Sequence, residues 1–242
     1  MIKRNYYKIV RVFPDPSSYF YIKNEMMNEI WFSANDSWLS TVNLEYSFDK
    51  VNWTRFNEGF NAPADGYIYL RNTTGTFITS EYTNVFYLNF NCSLGGDIRT
   101  LFNYTDVENV TKIPDYGFSS PFSDFGYSVT DISNLSFRGI TEIGNEGLSG
   151  AFSGSMFKET KGVDLRDVTT LGEGALNYLY SINSNLTEAY APNVSTWDTN
   201  KTFGWLSSAS TGVVYKPSTL TIPTNSESGI PSGWTTQDYP VE

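Results

Sequence analysis

In three stretches of the chain, VTKIPDYGFSSPF (110–122), ITEIGNEGLSGAF (140–152) and VTTLGEGALNYLY (168–180), the apolar residues fall in the same columns without any gap. Val110, Ile140 and Val168 share the first column, and Ile113, Ile143 and Leu171 the second. Phe118, Leu148 and Leu176 form the third, and Phe122, Phe152 and Tyr180 the last. The intervening pairs Pro114-Asp115, Gly144-Asn145 and Gly172-Glu173 are turn formers, so each stretch is expected to reverse direction there. A weaker fourth copy places Val194 and Trp197 in the first two columns and Phe203 or Leu206 in the last. Apolar columns at a fixed period of this length predict a solenoid, because one unit cannot bury its apolar face alone and must stack on its neighbours.

Within each unit, LSFRGI (135–140) and VDLRDV (163–168) alternate apolar and polar positions, which predicts strands that turn Leu135, Phe137, Val163 and Leu165 inward. In the following segments, EGLSGAF and EGALNYLY, apolar residues recur three or four apart, which predicts one or two helical turns or a short 3₁₀ piece. Together these describe a leucine-rich-repeat-like coil.

Residues 1–75 lack the repeat. The alternating runs YYKIVRVF, YFYIK, EIWFSA, VNLEYSF and YIYLR, broken by Pro, Asn, Asp and Gly clusters, predict an antiparallel sandwich-like domain or open barrel, with Trp53 in its core. Residues 76–105 are expected to connect the two parts, with a tight turn at Gly95-Gly96 and a short helix at DIRTLF capping the first coil. The solenoid then occupies 106–204, and 205–242 closes it as a C-terminal cap, with an edge strand at Val213–Lys216 and Trp234 folding back onto the stack. The fold class is therefore mainly β: an antiparallel β-sandwich-like domain, a short leucine-rich-repeat-like solenoid and its cap.

Composition narrows the function. The 242 residues carry 16 basic and 26 acidic side chains, a net charge of −10, which repels phosphate backbones and makes nucleic acid an unsuitable partner. No apolar run is long enough to cross a bilayer, so membrane insertion is not expected, and the opening MIKRNYYKIVRVFPDP is too interrupted by charge for an export signal. Histidine is absent, which removes the usual general base at neutral pH and the commonest zinc ligand. The single cysteine, Cys92, reads as a small buried hydrophobe. Three acidic pairs, Asp164 with Asp167, Asp106 with Glu108 and Glu142 with Glu146, offer no constellation that converges on one scissile bond. Asp198-Thr199-Asn200, and Asp115 with Asp124, do not match a calcium loop. No catalytic residue, metal or cofactor is expected.

The segments YSFDKVNWTRF and GGDIRTLF, then the repeats, then WLSSASTGVVYK and GIPSGWT, occur in an order that resembles the BspA-like leucine-rich-repeat proteins of gut Bacteroidetes and of the phages that infect them. The resemblance covers nearly the whole chain; the repeats depart from the family in being few and in lacking its recurring Cys and Met-Phe pattern, of which Met156-Phe157 is the trace. It implies adhesion or surface binding without enzymatic activity or cofactor. Taken with the missing export signal, it implies a phage virion protein, such as a fibre, decoration or receptor-binding component on the particle surface. Its partners would be other virion proteins and a host surface glycan or protein, and it would act as a homo-oligomer, a trimer being one arrangement. The alternatives are a secreted bacterial cell-surface adhesin and, behind it, a polysaccharide-cleaving tailspike domain. The residues best suited to contact a ligand are the aromatics Tyr116, Tyr127, Tyr178, Tyr190 and Trp197.

Overall fold

The computed structural model describes residues 19–73, 77, 79, 85–122, 129–158, 161–225 and 227–240. The alternating run YYKIVRVF and the candidate Tyr127 lie outside the described residues. The structure is mainly β, and no barrel closes among the described residues.

The first half contains β1 (Phe20–Asn24), β2 (Ile30–Ala34), β3 (Leu44–Ser47), β4 (Thr54–Arg55), β5 (Phe60–Ala62), β6 (Tyr67–Asn72), β7 (Phe86–Tyr87) and β8 (Cys92–Asp97). Two short helices interrupt them, α1 (Asp36–Leu39), capped by the Asn35 side chain accepting from the Trp38 N–H, and α2 (Thr100–Asn103) within the expected DIRTLF segment. The second half supplies β9 (Lys112–Ile113), β10 (Val129–Ser136), β11 (Glu142–Ile143), β12 (Lys161–Asp164), β13 (Thr170–Leu171), β14 (Glu188–Tyr190), β15 (Gly212–Lys216) and β16 (Trp234–Asp238).

A six-stranded sheet runs in the order β10-β8-β1-β6-β3-β4, antiparallel except for the parallel pair β8–β10. The sheet passes straight through the expected boundary at residue 75, because β8 and β10 continue it from the connecting segment and the repeats. A small sheet, β5-β2-β7, packs on it through Phe32, whose ring lies 5.4 Å from Phe56, and through Phe60 stacked 3.8 Å from Tyr46. Gly95-Gly96 do not form the expected turn; they lie inside β8. Gly95 leaves room for the Tyr21 ring above it, and Gly96 has φ +79° with its α-carbon against the Tyr19 carbonyl, where any side chain would collide.

The repeat columns appear as stacked rungs. β9, β11 and β13 form a parallel ladder that pairs Lys112, Glu142 and Thr170, then Ile113, Ile143 and Leu171. The second parallel ladder runs β12-β14-β15-β16, with β12 lying against β10. Leu135, Phe137, Val163 and Leu165 are all buried. The expected helical turns are instead a ribbon of successive β-turns. In the middle unit the N–H groups of Glu146, Leu148, Gly150, Phe152 and Gly154 donate to carbonyls of the next unit at 2.7–3.1 Å. Those of Gly147, Ser149, Ala151 and Ser153 fold back on carbonyls three residues earlier. Every fourth ribbon residue has positive φ, glycine or not: Tyr116 and Ser120, then Glu146, Gly150 and Gly154, then Gly174, Tyr178 and Ile182. A helix cannot accept that conformation, which is why the three-to-four spacing misleads.

The fourth copy joins the stack, with the Tyr178 and Tyr180 N–H groups donating to Phe203 and Trp205 carbonyls. Leu206 is buried and Phe203 is exposed, so Leu206 takes the last column. In the cap, Val213–Lys216 is not an edge: β15 lies between β14 and β16, and β16 is outermost. Trp234 is buried, its indole N–H donating to the Ala209 carbonyl. One aromatic chain threads both halves, Phe32–Phe86–Phe122–Phe118–Phe152–Tyr180, with successive centroids 5.9–6.3 Å apart. Burial of that size offsets the ordering entropy of a chain with so little regular helix.

Candidate binding surface

The strands of the second parallel ladder alternate, so Ala189 and Val214 are buried while their neighbours face outward. In-register pairing aligns the outward residues into two rows: Asp164, Tyr190, Tyr215 and Gln237, and beside them Lys161, Glu188, Val213 and Thr235. Tyr190 and Tyr215 stack at 4.9 Å and 23°. The Arg166 guanidinium forms a two-pronged pair with the Asp164 carboxylate at 3.0 Å and lies 5.7 Å from the rings of both Tyr190 and Tyr239. The Tyr239 hydroxyl donates to the Ala191 carbonyl, and its phenol is pushed up by burial and then by the Asp164 charge. Lys161 and Glu188 form a looser pair at 3.7 Å. The face thus offers an aromatic shelf of two stacked rings bordered by a fixed carboxylate, a guanidinium, an amide and a hydroxyl, apolar ring surface beside hydrogen-bonding groups of both senses.

A second aromatic group covers the outer side of the six-stranded sheet. Tyr21, Tyr67 and Tyr69 lie 5.2–6.2 Å from one another, with Lys23 over Tyr67 and Lys50 over Tyr69. Burial, followed by the neighbouring Tyr67, Asp131 and Tyr69, pushes the Tyr21 phenol up to about 12. Trp53 is half-buried here and not in the core. The Arg71 guanidinium lies between it and Tyr104, at 3.9 and 4.1 Å, and is anchored by Glu45 at 2.7 Å.

The candidate residues do not meet in one place. Tyr116 and Tyr178 sit on the turn ribbon at 38% and 45% exposure, Tyr178 edge-on to Phe203 at 5.4 Å. Tyr190 belongs to the parallel ladder. Trp197 is packing: its ring lies 5.0 Å from buried Trp205 and its indole donates to the Ser228 carbonyl. Tyr215, the stacking partner of Tyr190, was not singled out by sequence; its alternation within VVYK is the signal that would have found it.

Asp124 lies outside the described residues, and most of the other acidic residues weighed as chemistry hold the backbone, an amide or a cation. Asp167 accepts from the Gly139 N–H, Asp115 from the Asn145 N–H and amide, and Asp198 from the Asn200 N–H. Glu142 pairs with Lys112 at 2.6 Å, and Asp106 accepts from the Asn109 amide. Among the described residues, no three His, Cys, Asp or Glu side chains converge as metal ligands, and no helix is long and apolar enough to cross a membrane. Cys92 is buried and its thiol is pushed up by desolvation. No family model, curated protein or solved structure matches the chain.

Proposed function

We propose that the chain is a non-enzymatic binding protein of a bacteriophage particle, displayed as a homo-oligomeric fibre, decoration or receptor-binding component that recognises a host surface glycan. In this reading the first half is a sandwich-like anchor, and the stacked units are a leucine-rich-repeat-like solenoid closed by the segment from Trp205. The observation that carries the glycan assignment is the Tyr190–Tyr215 stack beside the fixed Asp164–Arg166 pair and Gln237. The particle assignment draws on the resemblance of the two ends to BspA-like proteins.

Binding of the purified chain to host capsular polysaccharide, measured by calorimetry, tests the first part. Tyr215→Ala removes half of the shelf and is expected to weaken binding at least tenfold while leaving the melting temperature within a few degrees. Binding insensitive to that change refutes the assigned face, and release of saccharide products refutes a purely binding role. Mass spectrometry and immunogold labelling of purified particles test the second part; detection on a bacterial envelope and not on particles transfers the chain to the adhesin reading.

A further inference from the structure

We propose that β16 is a homodimerisation edge, at which two copies of the chain pair their β16 strands antiparallel about a two-fold axis through Thr236. The inference stands on backbone geometry and does not depend on what the aromatic face binds.

Exposed strand edges invite pairing, and natural sheets blunt them with short length, charge or proline. The other sheet ends of the described residues follow that rule. β4 has two residues, and its Arg55 side chain is tied to Asn43 and to the Val42 carbonyl. β9 has two residues and runs into Pro114. β10 and β12 lie against each other. β16 departs from it in length: five residues, WTTQD, outermost in its ladder and all exposed after Trp234, with Asp238 its one charge and no proline until Pro240.

The direction of its main-chain groups is fixed by the ladder. The Tyr239 N–H donates to the Lys216 carbonyl of β15 at 3.0 Å, so by alternation Thr235 and Gln237 also address β15. The N–H groups of Thr236 and Asp238, and the carbonyls of Trp234 and Thr236, therefore point away from the molecule. Among the described residues no hydrogen bond reaches those of Thr236.

That outward row is self-complementary. With Thr236 opposite Thr236 of a second copy, the two residues exchange both main-chain bonds, and each Trp234 carbonyl meets the Asp238 N–H opposite, about four bonds in all. The register sets Asp238 against Trp234 and Thr235 against Gln237, so no carboxylate faces another. Lys216 lies in register beside Asp238, its ammonium donating to the Pro217 carbonyl.

Sedimentation of the full chain from micromolar to millimolar concentration is expected to give twice the monomer mass. Thr236→Lys sets two lysine side chains opposite each other, their α-carbons roughly 5.5 Å apart, and is expected to weaken the dimer at least tenfold without lowering the melting temperature. Thr236→Cys brings two thiols within disulfide range, and mild oxidation is expected to yield a covalent dimer; the native thiol, Cys92, is buried and gives none. Should Thr236→Lys fail to fold, the cross-link decides alone. A chain that stays monomeric, a three-fold assembly, or a dimer that ignores Thr236→Lys and forms no cross-link with Thr236→Cys overturns the proposal.

Discussion

Replacing Tyr180 with Phe removes one oxygen from the centre of the repeat stack, and the structure sets what that costs. Tyr180 is 1% exposed, and its hydroxyl accepts from the Val163 N–H at 2.8 Å, a bond made inside the protein at the start of the second parallel ladder. The ring itself stacks on Phe152 at 6.0 Å and meets Phe157 edge-on at 6.5 Å, contacts that Phe preserves. The change therefore isolates the hydroxyl. A buried N–H left without a partner costs about 1–3 kcal/mol. Water cannot rescue it, because the vacated space is roughly that of one oxygen atom and a buried water needs about two to four polar partners. Taking about 2 kcal/mol as the centre, a chain of this size should melt roughly 4–8 °C lower. Calorimetry gives the melting temperature, and urea unfolding should show a lower midpoint with an unchanged slope. A melting temperature within about 1 °C of the parent would mean that Val163 does not depend on Tyr180, and the accounting would fail.

Asn183 is 1% exposed and neither amide atom has a partner among the described residues, so Asn183→Leu is expected to be neutral or to raise stability by about 1 kcal/mol in urea unfolding; a loss larger than that would show that the amide is satisfied after all. Removing residues 205–242 takes away Trp205, whose carbonyl receives the Tyr180 N–H, and strips β15 from β14, so the truncated chain should aggregate in a solubility assay; a soluble product with an unchanged melting temperature would show that the segment is dispensable. Burial raises the Tyr21, Tyr180 and Tyr239 phenols above the unfolded value of 10.0, Tyr21 to about 12. The folded state then holds protons that the unfolded chain releases, so their contribution is fully present below pH ~10 and declines as pH rises toward 12. Ultraviolet titration should show these phenols lagging the exposed ones until the protein unfolds; a single unshifted tyrosine transition in the folded protein would contradict their burial.

The columns were legible because a parallel ladder pairs residues one for one, so a stacked unit must repeat its apolar positions in register. Ile113, Ile143 and Leu171 lie side by side for that reason, and so do Leu148 and Leu176 in the core. The ribbon was not legible. Positive φ at Glu146 and Tyr178 answers to bonds from the neighbouring unit and leaves no mark in the side chain. Gly95-Gly96 misled in the opposite way: a glycine pair usually marks a turn, whereas here it answers to Tyr21 and Tyr19, residues more than seventy positions away. β16 is too polar to announce itself and exists through pairing with β15. Of the candidate surface, Tyr190 was found by its residue type; the pairing that brings Tyr215 beside it is a tertiary fact.

Because half the ribbon N–H groups of the middle unit are satisfied only by the unit that follows, an internal unit meets its neighbours through the same main-chain bonds on either side, and only the terminal ones need another partner. The last ribbon meets the cap where Gly204, with φ +67°, donates its N–H to the Glu227 carbonyl. Duplicating or excising one whole unit between Ile140 and Val168 is expected to keep the remaining rungs in step, whereas a partial unit would throw all later rungs out of step. Length is thus a quantity that recombination can change in whole units, while the antiparallel strands of the first half and the closing segment remain as they are.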